Sequence, residues 1–302
     1  MLIGTNFGFF RQGTPLAEMY GKIAVAGFRA VDFSLARDYG VNKDNEKEFF
    51  TDAKKLCEDA GLIISQAHSW FLRPDPSPEY FLGKEYFDLQ IESVRRARYL
   101  GVKWLVFHPY TNGVPEGERN VYDGAESERE FRLNYEFFDH LAPVLKENGV
   151  CAAIENLAEV DYTPTPVHCA CFGSSSKELN AIIDALNGKH GELFGACLDA
   201  GHANLIAGER LSEFVRNLGK RLKVLHLHDN YGVLSSWGGG LDRHLPPFFG
   251  ELDWKDLVSA LKETDFRGAF NFEIGNHYPN ADFAFEIAKY VFKIAEYMLE
   301  TY

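Results

Sequence analysis

Short runs of nearly continuous apolar residues alternate with longer stretches of helical period, and the alternation goes round eight times along the 302-residue chain. The runs are LIGTNF (2–7), FRAVDFS (28–34), LIISQAH (62–68), KWLVFH (103–108), VCAAIE (150–155), LFGACLD (193–199), LKVLHLH (222–228) and AFNFEI (269–274). Between them lie amphipathic stretches near 15–26, 44–60, 84–101, 127–148, 176–190, 209–219, 253–265 and 281–301. Strands that are apolar on both faces need cover on both, so strand-then-helix order predicts a parallel sheet wrapped by helices. Eight such units predict an α/β fold closed into a (β/α)8 TIM barrel.

Glycine follows helical stretches in DAGLII, YLGVKW, ENGVCA and NLGKRL, where a left-handed residue ends a helix before the next strand. No Pro- or Ser-rich linker interrupts the pattern, so residues 1–302 are read as a single barrel domain.

Side-chain parity sharpens the barrel reading, because successive strand residues point to opposite faces. In VCAAIE the set Cys151, Ala153 and Glu155 would face the lumen, leaving Val150, Ala152 and Ile154 for the helices. In LFGACLD the inner set is Gly195, Cys197 and Asp199. In AFNFEI it is Asn271 and Glu273, with Phe270, Phe272 and Ile274 outside. Small or polar residues point in and bulky apolar ones point out.

Polar residues of metal-binding type close these strands or follow them: His68, His108, Glu155, Asp199, His202, His226, Asp242, His244 and Glu273. A buried, unpaired carboxylate costs several kcal/mol, and a shared cation offsets that cost. All nine fall at the C-terminal ends of strands or in the loops after them, the face where barrel active sites are built. Glu155, Asp199, His226 and Glu273 make a mixed N/O set suited to one divalent ion, Mn²⁺, Mg²⁺, Co²⁺ or Zn²⁺, with positions left for substrate oxygens. His228 reads either as support for His226 or as a ligand, and His140, His168, His190 and His277 read as surface or loop residues.

Composition narrows the partners. The net charge is −13 and no Lys- or Arg-rich run is present, which counts against a nucleic-acid substrate. No apolar stretch approaches the ~20 residues of a membrane span, and MLIGTNFGFFRQG lacks a basic region leading into a longer apolar one, so no membrane is expected and a cytoplasmic location is. The five cysteines are odd in number, and Cys151 and Cys197 fall inside strands, where reduced thiols pack as small apolar groups. No disulfide framework is expected.

At these residues the chain resembles the xylose-isomerase-like barrel superfamily, which includes sugar isomerases and epimerases, inosose dehydratases and the endonuclease IV type of apurinic endonuclease. The resemblance spans essentially the whole chain in strand order. It implies a single divalent ion held by Glu155 (IEN), Asp199 (LDAGH), His226 (HLHD) and Glu273 (FEIG). His226 takes the ligand position because Asp229 then lies three residues on, as in the family's H-x-x-D/E. The endonuclease branch adds five ligands to build a trinuclear zinc cluster, and these match His68, His108, His202, Asp242 and His244. The flanking HLHDN, DRHLPP and ELDW look closer to the isomerase-like branch.

The resemblance implies a metal-dependent isomerase or epimerase acting on a ketose or related polyol through an enediolate. Glu155 and Glu273 would form the acid/base pair, and His202 would bind or polarise a substrate oxygen. Phe7, Trp70 and Trp237 would line the sugar. The substrate-binding arginine and glutamate of ketose epimerases have no clear match here, although Arg11, Arg73, Arg119 and Arg243 fall in loops near the expected mouth. Two alternatives follow from the same residues: an apurinic endonuclease with up to three Zn²⁺, and an inosose dehydratase-like lyase. The expected partner is a small sugar, and assembly into a homo-oligomer stays open.

Overall fold

The computed structural model describes residues 1–302 except 72–76, 113–121, 162–166, 207, 233–240 and 276–277. All eight expected strands form, trimmed by a residue or two at their ends. In chain order the strands are β1 (Ile3–Thr5), β2 (Ala30–Ser34), β3 (Ile63–His68), β4 (Trp104–Phe107), β5 (Cys151–Glu155), β6 (Glu159–Asp161), β7 (Val167–Cys169), β8 (Phe194–Asp199), β9 (Leu222–His226) and β10 (Phe270–Phe272). Every neighbouring pair in the eight-stranded sheet β10-β1-β2-β3-β4-β5-β8-β9 is parallel. Its two ends meet: Leu227 N–H donates to Asn271 O and Glu273 N–H to Leu227 O, both at 3.0 Å, closing the barrel. β6 and β7 form a separate antiparallel hairpin after β5. The sequence pattern hides it because each arm has three residues.

The helices are α1 (Leu16–Ala26), α2 (Glu46–Asp59), α3 (Pro78–Phe81), α4 (Lys84–Leu100), α5 (Gly124–Asn148), α6 (Ser176–His190), α7 (Ala200–Asn204), α8 (Leu211–Leu218), α9 (Trp254–Glu263) and α10 (Ala281–Thr301). Gly101 (φ 73°) and Gly149 (φ 67°) end α4 and α5 in the left-handed region, each returning the chain to a strand within a few residues. Short α3 and α7 lie in the loops after β3 and β8.

Two apolar layers follow from the parity of the strands. Ala152, Ile154, Phe270, Phe272 and Ile274 belong to the large core between sheet and helices. A small inner cluster of Val106, Ala153, Cys197 and Val224, with Trp104 against it, fills the barrel. The ammonium groups of Lys103 and Lys223 sit 5.7 and 5.6 Å from the Trp104 ring, cation–π contacts that let charge sit against the inner cluster. All five thiols are free. Among the described residues no helix is long and apolar enough to cross a membrane.

Candidate metal centre

The ends of β5, β8 and β9 and the residue after β10 deliver Glu155, Asp199, His226 and Glu273 to one place. One ligand atom from each lies within 4.8 Å of the others. His226 Nδ1 lies 2.9 Å from Glu155 Oε1 and 3.1 Å from Glu273 Oε2. Glu155, Asp199 and His226 are buried and Glu273 is partly so. Three carboxylates around one imidazole in a low-dielectric setting repel one another unless positive charge is placed among them.

The orientation of His226 is set from behind. Its Nε2 lies 2.9 Å from Asp32 Oδ2 on β2. The same oxygen accepts from Gln66 Nε2 at 2.9 Å and Asn271 Nδ2 at 3.3 Å. Being acceptor-only, the Asp32 carboxylate calls for the proton on Nε2, which leaves the Nδ1 lone pair of a neutral ring facing two carboxylates. That is repulsive without a cation or a second proton. Burial alone would lower the His226 pKa, yet Cys197, Glu273, Glu155 and Asp32 around it drive it well above the ordinary imidazole value. No periodicity marks Asp32, one acid in the strand AVDFS. The only available signal was its polarity at an apolar strand position.

Around this group the remaining sequence candidates assemble in overlapping sets. His68 joins Glu155 and His226, with Nε2 3.2 Å from Glu155 Oε2, and His108 Nε2 lies 3.3 Å from the same oxygen. Asp199, His202 and His228 form a further set, and His228, Asp242 and His244 another. Asp199 caps α7 by accepting the His202 backbone N–H at 2.7 Å, which explains why a His three residues past the strand end returns to the site. His202 Nε2 and His244 Nε2 lie 3.4 and 2.8 Å from Asp242 Oδ2. Burial disfavours a charged His244, but the bond to Asp242 prevails and lifts its pKa to about 10.

His228 is deeper in the site than a supporting role requires. Its Nε2 is 3.1 Å from Asp199, and its ring stacks on His244 with centroids 4.0 Å apart. His228 Nδ1 and Asp242 Oδ1 are buried without hydrogen-bond partners and face each other at 3.7 Å. A donor set of imidazoles and carboxylates with two orphaned atoms pointing together fits a divalent ion here, as the crowded carboxylates do at Glu155.

The loop bearing Asp242 and His244 is shaped by Asp229, which lies three residues past His226. Its carboxylate accepts from the backbone N–H groups of Asn230, Phe248 and Leu252 and from Trp254 Nε1, at 2.9–3.1 Å. With four donors occupied, it organises the loop and is not offered to an ion. Asn156 joins the ends of β5 and β8, donating to Asp199 O and accepting Asp199 N–H. His168, read as a surface or loop residue, sits on β7, and its Nε2 accepts the Asp242 N–H at 3.0 Å. His190 pairs with Asp139 on α5, away from this cluster.

A cavity of about 380 Å³ opens beside the cluster, with Glu273, His68 and Asp32 on one side of its lining. Phe7, Phe10 and Phe71 supply apolar wall; Asn6, Gln12, Ser34 and Arg37 supply polar groups. Phe71 packs on His68 and His108. Its neighbour Trp70 is tied through its backbone to Ser93 and Gln90 of α4. Trp237, Arg73, Arg119 and His277 lie outside the described residues.

Comparisons place this architecture among known proteins. The chain is 40% identical over 82 residues to the uncharacterized protein y4fM of Sinorhizobium fredii, an alignment covering 27% of this chain and 24% of that one. It is 25% identical over 215 residues to a probable endonuclease 4 of Thermosipho africanus, covering 67% of this chain and 66% of that protein. Among solved structures, D-psicose 3-epimerase with D-tagatose from Clostridium cellulolyticum H10 superposes with a TM-score of 0.72 over 99% of both chains at 15% identity. The IOLI protein with a binding zinc atom superposes with a TM-score of 0.70, also at 15% identity, over 100% of this chain and 99% of that one. Likeness at that identity is a likeness of fold. The family described as xylose isomerase-like TIM barrel matches residues 21–293, and with the strand order seen here the chain belongs to that family.

Proposed function

We propose that this protein is a divalent-metal-dependent sugar isomerase or epimerase acting on a ketose or a related polyol. The observation that carries this reading is the shared wall between cavity and cluster: Glu273 and His68 belong to both. A volume of about 380 Å³ is at the small end of ligand pockets, suited to a small molecule, and the mix of aromatic faces with hydroxyl and amide groups suits a sugar. The epimerase and IOLI folds support it.

Glu155, Asp199, His226 and Glu273 would hold the ion. When bound, it supplies Lewis-acid polarisation of a substrate carbonyl and adjacent hydroxyl, making the neighbouring C–H more acidic. Glu155 or Glu273 takes that proton as the C–H electron pair moves into the carbonyl, giving an enediolate. The partner carboxyl returns a proton to the opposite face for epimerisation, or to the adjacent carbon for isomerisation. His202, held by Asn156 O at 3.0 Å and by Asp242, is placed to address a substrate oxygen.

A second reading has its own observation: His68, His202, Asp242 and His244 in further ligand sets, and His108 beside Glu155, give enough donors for three zinc ions, which would activate a water to attack a phosphodiester at an abasic site. Metal content per chain by elemental mass spectrometry, with a ketose panel in D₂O and an abasic duplex, separates the two. About one ion, with deuterium entering the ketose and no cleavage, supports the isomerase or epimerase. Three zincs with cleavage overturn it, and a product lacking one water points to the lyase.

A further inference from the structure

We infer that the sugar taken by this pocket carries an anionic group, a phosphate or a carboxylate, received by the guanidinium of Arg37; the inference rests on the sugar-isomerase reading above. The pocket draws its lining from two chemistries. Glu273 and His68 come from strand ends and Asp32 from within β2, whereas Gln12 and Arg37 come from the loops after β1 and β2. The first set belongs with the metal centre. The second has no part in it.

Arg37 is the arginine that lines this cavity, and it lacks a carboxylate partner there. The chain has 44 acidic against 31 Lys and Arg residues, and arginines are readily satisfied: Arg95, Arg96, Arg129, Arg216 and Arg221 each pair with a carboxylate. Arg37 pairs with none among the described residues. One of its five N–H donors goes to the backbone carbonyl of Arg11, whose own side chain donates to Pro279 O at 3.2 Å. That contact fastens the guanidinium to the β1–α1 loop and leaves its other donors beside the cavity. The group is half-buried, and burial lowers its pKa, the sign of a cation that has lost water without gaining an anion.

A planar fork with free donors matches an oxyanion presenting two oxygens, the geometry common to phosphate and carboxylate. Gln12 is engaged elsewhere, through Nε2 to Asp38 O at 2.7 Å, so Arg37 carries the recognition. A sugar lying across the pocket would put its carbonyl end at Glu273 and its charged end at Arg37. The acidic remainder of the surface would then repel polyanions while this one position admits a small anion.

The test compares D-fructose and D-tagatose with their 6-phosphates and with D-fructuronate and D-tagaturonate, measuring C–H exchange in D₂O on metal-loaded wild type, Arg37→Met and Arg37→Lys. The expected result is a kcat/KM preference for the phosphate or carboxylate arm that falls by about 10- to 100-fold in Arg37→Met, the range for losing a charge-assisted hydrogen bond. The loss should sit in KM, with Arg37→Lys keeping part of the preference. Circular dichroism and metal content confirm that the variants fold. Exchange on the neutral ketoses with an anionic-to-neutral ratio unchanged in Arg37→Met overturns this inference alone. Exchange on none of the six overturns the ketose reading and this inference with it.

Discussion

Asp32 on β2 and His226 on β9 meet through a 2.9 Å contact between Oδ2 and Nε2, with both side chains closed to solvent. The two residues are 194 positions apart, yet the barrel makes them partners across its interior. A carboxylate behind a ligating imidazole fixes its tautomer and raises its basicity. Asp32→Ala should therefore weaken divalent binding about 10- to 100-fold, and Asp32→Asn by less, because its amide oxygen still accepts the Nε2 proton. Competition dialysis with Mn²⁺ and Zn²⁺ measures it. Unchanged affinity in the alanine variant would show that His226 needs no support from β2.

Gly201 makes room for His228. A Cβ built at Gly201 would lie 1.9 Å from the His228 ring, far inside contact distance. Gly201→Ala should push His228 off Asp199 and destabilise the fold by about 1–3 kcal/mol, as overpacking in a dense interior does. His228→Ala in the same chain should recover most of that loss. Thermal unfolding of the two single variants and the double gives the coupling directly, and additive losses would contradict the steric explanation.

The barrel was legible because its signal is periodic. Glu155, Asp199 and Glu273 stand out at the ends of apolar runs, whereas His226 shares its strand face with His228 and is singled out only by the family resemblance, which sets an acid, Asp229, three residues on. Asp32 was not legible: one acid inside AVDFS looks like any strand polar residue until β9 is placed beside it. His168 and Arg37 were hidden for a related reason, since a three-residue strand and a loop carry no readable period and only the fold brings them to Asp242 and to the cavity. The β6–β7 hairpin leaves no mark in the sequence because arms of three residues are too short to show alternation.

Glu130 on α5 is a buried carboxyl that bridges two loops at the mouth. It accepts the backbone N–H of Asn112 and, at 3.1 Å, that of Phe172. Burial lifts its pKa to about 8 from the usual 4.5, although both amides pull the other way. The native state thus holds this proton more tightly than the unfolded chain does. Its stabilising contribution is complete below the unfolded value and is lost as pH rises through about 8. Glu130→Gln should flatten the fall in stability between about pH 4.5 and 8, a difference on the order of a few kcal/mol. Urea unfolding of both proteins across that range tests it, and parallel slopes would reassign the loss to other groups.

Glu155 belongs both to the set with His68 and His226 and to the set with Asp199, His226 and Glu273, so one substitution probes the whole centre. Glu155→Gln removes a charge while keeping the shape. It should release most of the bound metal and lower proton transfer by at least about 10²-fold, the lower end for a general base. His202→Asn separates the roles. It leaves all four proposed ligands in place, so metal content should hold while turnover falls. Elemental mass spectrometry on both variants, paired with deuterium exchange into a ketose, reads the two effects side by side. If Glu155→Gln keeps its metal and its rate, the four strand-end residues are not the metal centre, and the cluster is a network of buried ion pairs instead.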